Sequence, residues 1–323
     1  MQRERSFRRY DIYKFIGKWD ESLVLGLISA EHLALNLLTP STVLDARSEI
    51  KTGISVQLDW SLDNLGATIS GRKNLEHSFI DYKALLNVYG HDDSVSFNTQ
   101  CGSQWDGFGY YGDQATGLYY NGTKHENIIR TGNENLGIHN WCARGGIVGR
   151  GVLLDYVAYM EETGQELPNP CTRFGITVDV LDKIVAHQGI EWRDGDILFI
   201  RSGFVRWYNA AGPEEREKNI SGPDAAFIGV KTNDASRDWL WNHHFSAVAG
   251  DTLAFEQYPI LSNSVALHEY LLPRWGTPIG EMFDLETLSK QCAAHKRWSF
   301  FFTGAPLNIP GGIASPPNAI AIF

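Results

Sequence analysis

The sequence predicts an α/β fold, and three observations carry that expectation. From Thr177 onward, segments of helical apolar spacing alternate with short β-branched or aromatic runs. Turn residues punctuate each change of pattern. No fixed-period repeat or low-complexity linker divides the 323 residues, so one large domain is expected.

In chain order, residues 21–38 carry Leu23, Leu27, His32 and Leu35 at loose helical spacing before Pro40, which predicts a helix and then a loop. Ile54 to Leu58 alternates as a strand does. Val95 to Phe97 predicts a strand leading into Asn98–Tyr111, the stretch richest in chemistry. Gly117 to Gly122 ends in Asn-Gly and predicts a hairpin. Gly145 to Asp155 places its glycines before an apolar strand rather than at the opening of a helix. A nucleotide loop is therefore disfavoured, and glycine permitting close backbone approach is the better reading. Thr177 is a fair N-cap for Val178, Leu181 and Val185, and Gly189 can close that helix before the strand Ile197–Ile200. Ser236–His244 then Ala247–Ala249, and Asp284–His295 then Trp298–Phe302, repeat the unit. Ala319 to Phe323 reads as a last strand.

Composition narrows the function. Hydrophobic content of 43% and charged content of 20% are those of an ordinary globular protein, and a net charge of −10 disfavours nucleic acid or an anionic membrane as partner. The basic start (Arg3, Arg5, Arg8, Arg9) is interrupted by Glu4 and reads as a solvated tail. No membrane-length apolar run or secretory signal is visible. The four cysteines form no C-x-x-C, which fits a cytoplasmic location; Cys101 reads as a packed thiol.

Two clusters can carry chemistry. Gln100, Gln104 and Asp106, spaced four and two apart around Gly102, can bind a metal or orient water, with Trp105, Phe108 and Tyr110 interleaved. His268 and Glu281 form the second. No G-x-S-x-G or H-E-x-x-H is present. His139 can line a pocket, whereas His243-His244 reads as helix packing.

These clusters resemble the cyclase family that includes bacterial-type kynurenine formamidase and isatin hydrolase, whose signature reads H-x-G-T-H-x-D-x-P-x-H. Gly102 and Asp106 match it. Ser103 stands for threonine, Gln100 and Gln104 for two histidines, Phe108 for proline and Tyr110 for the last histidine. His268 and Glu281 match the family's later histidine and glutamate. Asp194–Gly203, Ala249–Thr252 and Ser315–Ala321 extend the resemblance, which is strongest over 92–323, with residues 1 to about 90 an extension packed on the same domain.

The resemblance implies a swivelling β/β/α fold with mixed sheets or a barrel-like core, and a small-molecule substrate. The catalytic residues it implies are Asp106, Tyr110, His268 and Glu281. The substrate-binding set is Gln100, Gln104, Trp105, Phe108 and His139. Gln100, Gln104 and Asp106 would hold a divalent metal (Mn, Mg or Zn) weakly, or none, because carboxamide oxygen is a poorer ligand than imidazole. The expected activity is metal-assisted hydrolysis of an amide, lactam or lactone, or acid–base cyclisation or dehydration, on an aromatic or polyketide-like molecule of secondary metabolism. A ligand-binding pseudoenzyme of the same fold is the alternative. Family likeness also implies a homo-oligomer.

Overall fold

The computed structural model describes residues 34–66, 71–129, 135–262 and 264–323. The helix expected over 21–38 lies outside the described residues as far as position 33, and so does the basic start. Ala34–Leu37 forms a single tight turn.

Fifteen strands are described: β1 (Ser55–Gln57), β2 (Glu76–Asp81), β3 (His91–Ser96), β4 (Gln104–Asp106), β5 (Leu118–Tyr119), β6 (Thr123–Lys124), β7 (Ile147–Asp155), β8 (Gly175–Ile176), β9 (Ile197–Arg201), β10 (Gly229–Val230), β11 (Ala247–Gly250), β12 (Ile279–Glu281), β13 (Ser299–Gly304), β14 (Ala314–Ser315) and β15 (Ala319–Ile322). Nine of them make one mixed sheet in the order β1-β15-β13-β7-β9-β11-β12-β4-β14. Its centre, β7-β9-β11-β12, is parallel, and both flanks are antiparallel. Helices join the parallel strands, as such connections require. This mixed α/β architecture is the one the sequence predicts.

Burial follows position. β9 lies between two parallel neighbours and is buried along its whole length, which is why Ile197-Leu198-Phe199-Ile200 is continuously apolar. β13 has an antiparallel neighbour on each side and alternates, sending Phe300 and Phe302 into the core. Phe199 meets both rings, with centroids 5.5 and 5.1 Å away. Gly151 of β7 faces Phe300, and a Cβ there would run into that ring. The close approach expected of this glycine-rich strand is therefore real.

The helix Val178–Gln188 buries Leu181 and Ile184 and ends on Gly189 at φ 64°. The Asn-Gly hairpin also forms, β5 pairing with β6 around Asn121 at φ 56°. The strand expected at Val95–Phe97 differs in role. β3 is polar and exposed and, among the described residues, pairs only with β2, so β4 itself carries the chemical stretch into the main sheet.

Candidate active site

The site forms where β4 and β12 pair. Their antiparallel register sets Glu281 opposite Gln104, although 177 residues separate them. Strand alternation then sorts β4: Gln104 and Asp106 share one face, and Trp105 takes the other. Trp105 is fully buried, with ring centroids 5.1 Å from Phe283 and 6.3 Å from Phe302.

On the Asp106 face the polar atoms converge. Asp106 Oδ1 accepts from Gln100 Nε2 at 2.6 Å and from Gln104 Nε2 at 3.1 Å. Gln104 Nε2 also donates to Glu281 Oε2 at 2.8 Å. His268 Nε2 stands 3.3 Å from Glu281 Oε1 and 3.9 Å from Asp106 Oδ2. Behind the imidazole, Glu256 accepts from the Leu267 and His268 backbone amides at 2.6 and 2.7 Å, and its Oε1 lies 2.6 Å from His268 Nδ1. That contact aims Nε2 at the two carboxylates.

The electrostatics follow from burial. Loss of water, and then the neighbouring Glu281, hold the Asp106 carboxyl well above its usual range, against the pull of His268 and Arg72. Burial alone would lower the pKa of His268. Hydrogen bonds and charges from Glu256 and Glu281 overturn that and raise it to about 10. The Tyr110 hydroxyl is pushed up by burial and by Asp106 and Glu281, so it stays protonated at neutral pH.

This corner opens into a pocket of about 410 Å³. Tyr110, Tyr111, Arg72, His268 and Glu281 line its polar part, and Phe227 and Leu253 contribute to its apolar wall. Asp106 and His268 thus meet in one site. The tyrosines pack against the imidazole, with Tyr111 at 5.4 Å and Tyr110 at 6.3 Å between ring centroids.

Three substrate-binding expectations are corrected. Trp105 points into the core for the reason given. Phe108 packs between Tyr120 and Trp141, at 5.2 Å from each. The His139 Nδ1 accepts from the Gly311 backbone, and the ring does not line this pocket. Gln100 and Gln104 take a further role beside the metal-binding one expected of them. The amide nitrogens of Gln100 and Gln104 face carboxylates, so these side chains hold Asp106 and Glu281 in place. The described residues whose ligand atoms lie within 4.8 Å of one another are Asp106, His268 and Glu281.

A divalent cation fits that trio. Asp106 Oδ2 and Gln104 Oε1 are buried without any hydrogen-bond partner, an arrangement a cation would relieve. One imidazole and two carboxylates form a harder donor set than three imidazoles, suited to manganese or magnesium as well as zinc. Sequence reasoning missed Arg72 and Glu256. Neither sits in a spaced motif, and only the fold brings them to the site.

A buried carboxylate–imidazole cluster opening into a small-molecule pocket is an enzyme-type site. The model described as "Putative cyclase" matches residues 33–257, and the chain belongs to that family. Family membership places it with cyclase-type enzymes. The crystal structure of a novel cyclase is 30% identical and superposes with a TM-score of 0.77, over 91% of this chain and 97% of that one. Isatin hydrolase A from Ralstonia solanacearum shares the fold at 15% identity and a TM-score of 0.56, over 88% and 98%. An isatin hydrolase bound to the product analogue thioisatinate does so at 13% and 0.59, over 92% and 99%. No curated protein matches the chain significantly. Among the described residues, no helix is long and apolar enough to cross a membrane.

Proposed function

We propose that the protein hydrolyses an amide, lactam or lactone of a small, aromatic-bodied molecule, with a divalent metal held by Asp106, His268 and Glu281. The observation that carries this reading is the convergence of three ligand atoms, with His268 and Glu281 on the pocket wall and Asp106 Oδ2 buried behind them without a hydrogen-bond partner. The solved isatin hydrolases of the same fold are consistent with a cyclic amide as substrate class. When bound, the metal supplies Lewis-acid activation of water and carbonyl at neutral pH.

The chain's own residues do the rest. Gln100 and Gln104 fix the carboxylates through their amide N–H groups. Glu256 fixes the imidazole. Tyr110 remains a protonated donor for the carbonyl oxygen or the leaving atom. Water adds its oxygen to the carbonyl carbon, the C–N or C–O bond breaks, and the leaving atom takes a proton.

The test is an assay of protein purified without chelator, loaded with manganese, magnesium or zinc, against aromatic lactams, anilides and lactones. Zinc as purified should be less than stoichiometric. Asp106→Asn and Glu281→Gln should each lower turnover by about 10²-fold or more, the scale of a lost acid, base or ligand. A fully loaded enzyme that opens no member of the panel would sink the hydrolase reading.

Acid–base cyclisation or dehydration without metal is the second reading. It is favoured by His268, which with its pKa raised to about 10 is an imidazolium beside Glu281. Turnover that survives chelation selects it. Absence of turnover on both lactam and enolisable substrates selects the pseudoenzyme.

A further inference from the structure

The pocket contains a cation that neither reading uses. Arg72 lines it together with Tyr110, His268 and Glu281. Its Nη1 donates to the Gln100 backbone oxygen at 3.2 Å, and its Nη2 donates to the Tyr110 hydroxyl at 3.1 Å. Both partners are neutral. Among the described residues, no carboxylate forms an ion pair with this guanidinium, whereas Arg150, Arg201 and Arg274 each pair with acids.

A guanidinium has five N–H groups. The two hydrogen bonds to Gln100 and Tyr110 fix its orientation and leave donors over. Because Arg72 donates to the Tyr110 oxygen, that hydroxyl must direct its own proton elsewhere. The same pocket has an apolar wall in Phe227, Leu253 and Ile260.

We propose that Arg72 is an anion anchor and that the substrate is a small monoanion. Its carboxylate or enolate oxygen lies on the guanidinium, and its aromatic or apolar body lies against Phe227, Leu253 and Ile260. An anion so held presents its reactive carbonyl to Tyr110 and the Asp106–His268–Glu281 corner. The inference deepens the reading above and rests on this pocket being the substrate site. It makes Arg72 a specificity residue, selecting charged over neutral molecules of the same shape.

The test compares two probes of one shape, benzoate and benzamide, by calorimetry or ligand-observed NMR on the full chain. Benzoate should bind the wild type more tightly than benzamide does. Arg72→Gln should weaken benzoate by about 10- to 100-fold, the range for a lost charged hydrogen bond, and leave benzamide unchanged. Arg72→Lys keeps the charge without the planar fork and should fall between.

If Arg72 merely ties Gln100 to Tyr110, its removal will weaken both probes alike, which overturns the proposal. Equal affinity of the wild type for the two probes also overturns it. So does loss of benzoate binding on chelation, because a metal would then be holding the anion. Turnover is not needed for any of these measurements. If hydrolysis fails while the benzoate preference persists and depends on Arg72, the anchor stands and the hydrolase reading falls.

Discussion

The Glu256 side chain does not line the pocket, yet it sets the chemistry of His268, which does. It is fully buried and accepts three hydrogen bonds, two from backbone amides and one at His268 Nδ1. Glu256→Gln keeps the shape and removes the charge that raises the imidazole. In metal-free protein the His268 pKa should therefore fall from about 10 toward its ordinary value, read by NMR titration. Turnover should fall by about 10- to 100-fold, as for other groups that orient a ligand from behind. An unchanged His268 titration would show that Glu256 is only a helix-entry cap. The sequence makes Asp106, His268 and Glu281 legible because they keep motif spacing. It hides the role of Gln100 and Gln104, since a carboxamide can offer oxygen to a metal or N–H to a carboxylate. Only the nearby Asp106 and Glu281 oxygens decide between the two.

Among the elements, those with strong periodicity are the ones the sequence discloses. The helix Val178–Gln188 between Thr177 and Gly189 and the apolar β9 fall where local spacing puts them. β4 is only three residues long, too short for a pattern, and its register against β12 comes from long-range pairing. That is why Trp105 and Phe108 read as pocket residues and turn out to be core. Glycine placement carries a packing signal that can be tested. Phe300 lies directly over Gly151 in a fully buried layer, so Gly151→Ala forces the ring or the strand to move. Such overpacking should cost about 1–3 kcal/mol in urea denaturation. Gly66→Ala, where no described residue lies within 4 Å of the added carbon, should stay within about 0.5 kcal/mol of wild type. Equal stability of the two variants would refute the close-approach account of β7.

At the level of the whole molecule, the β2–β3 hairpin stands out from the nine-stranded sheet. Among the described residues its two strands pair only with each other, and an isolated two-stranded ribbon is marginal in water. It also carries apolar side chains that a monomer has little reason to expose. Tyr89 is 88% exposed, Phe79 74%, Leu85 68% and Leu86 67%. A cluster of this kind is the mark of an association surface. The homo-oligomer expected from family likeness is therefore predicted to form through this hairpin, with a second copy covering the apolar residues. Light scattering of the wild type at micromolar concentration should give a multiple of the 36.2 kDa chain mass. The double variant Phe79→Ser, Tyr89→Ser should shift that mass toward one chain while far-UV circular dichroism stays the same. The two side chains are exposed, so removing them empties no core and leaves the nine-stranded sheet intact. A monomeric wild type would end the oligomer expectation. A double variant that keeps the wild-type mass would move the interface to another face.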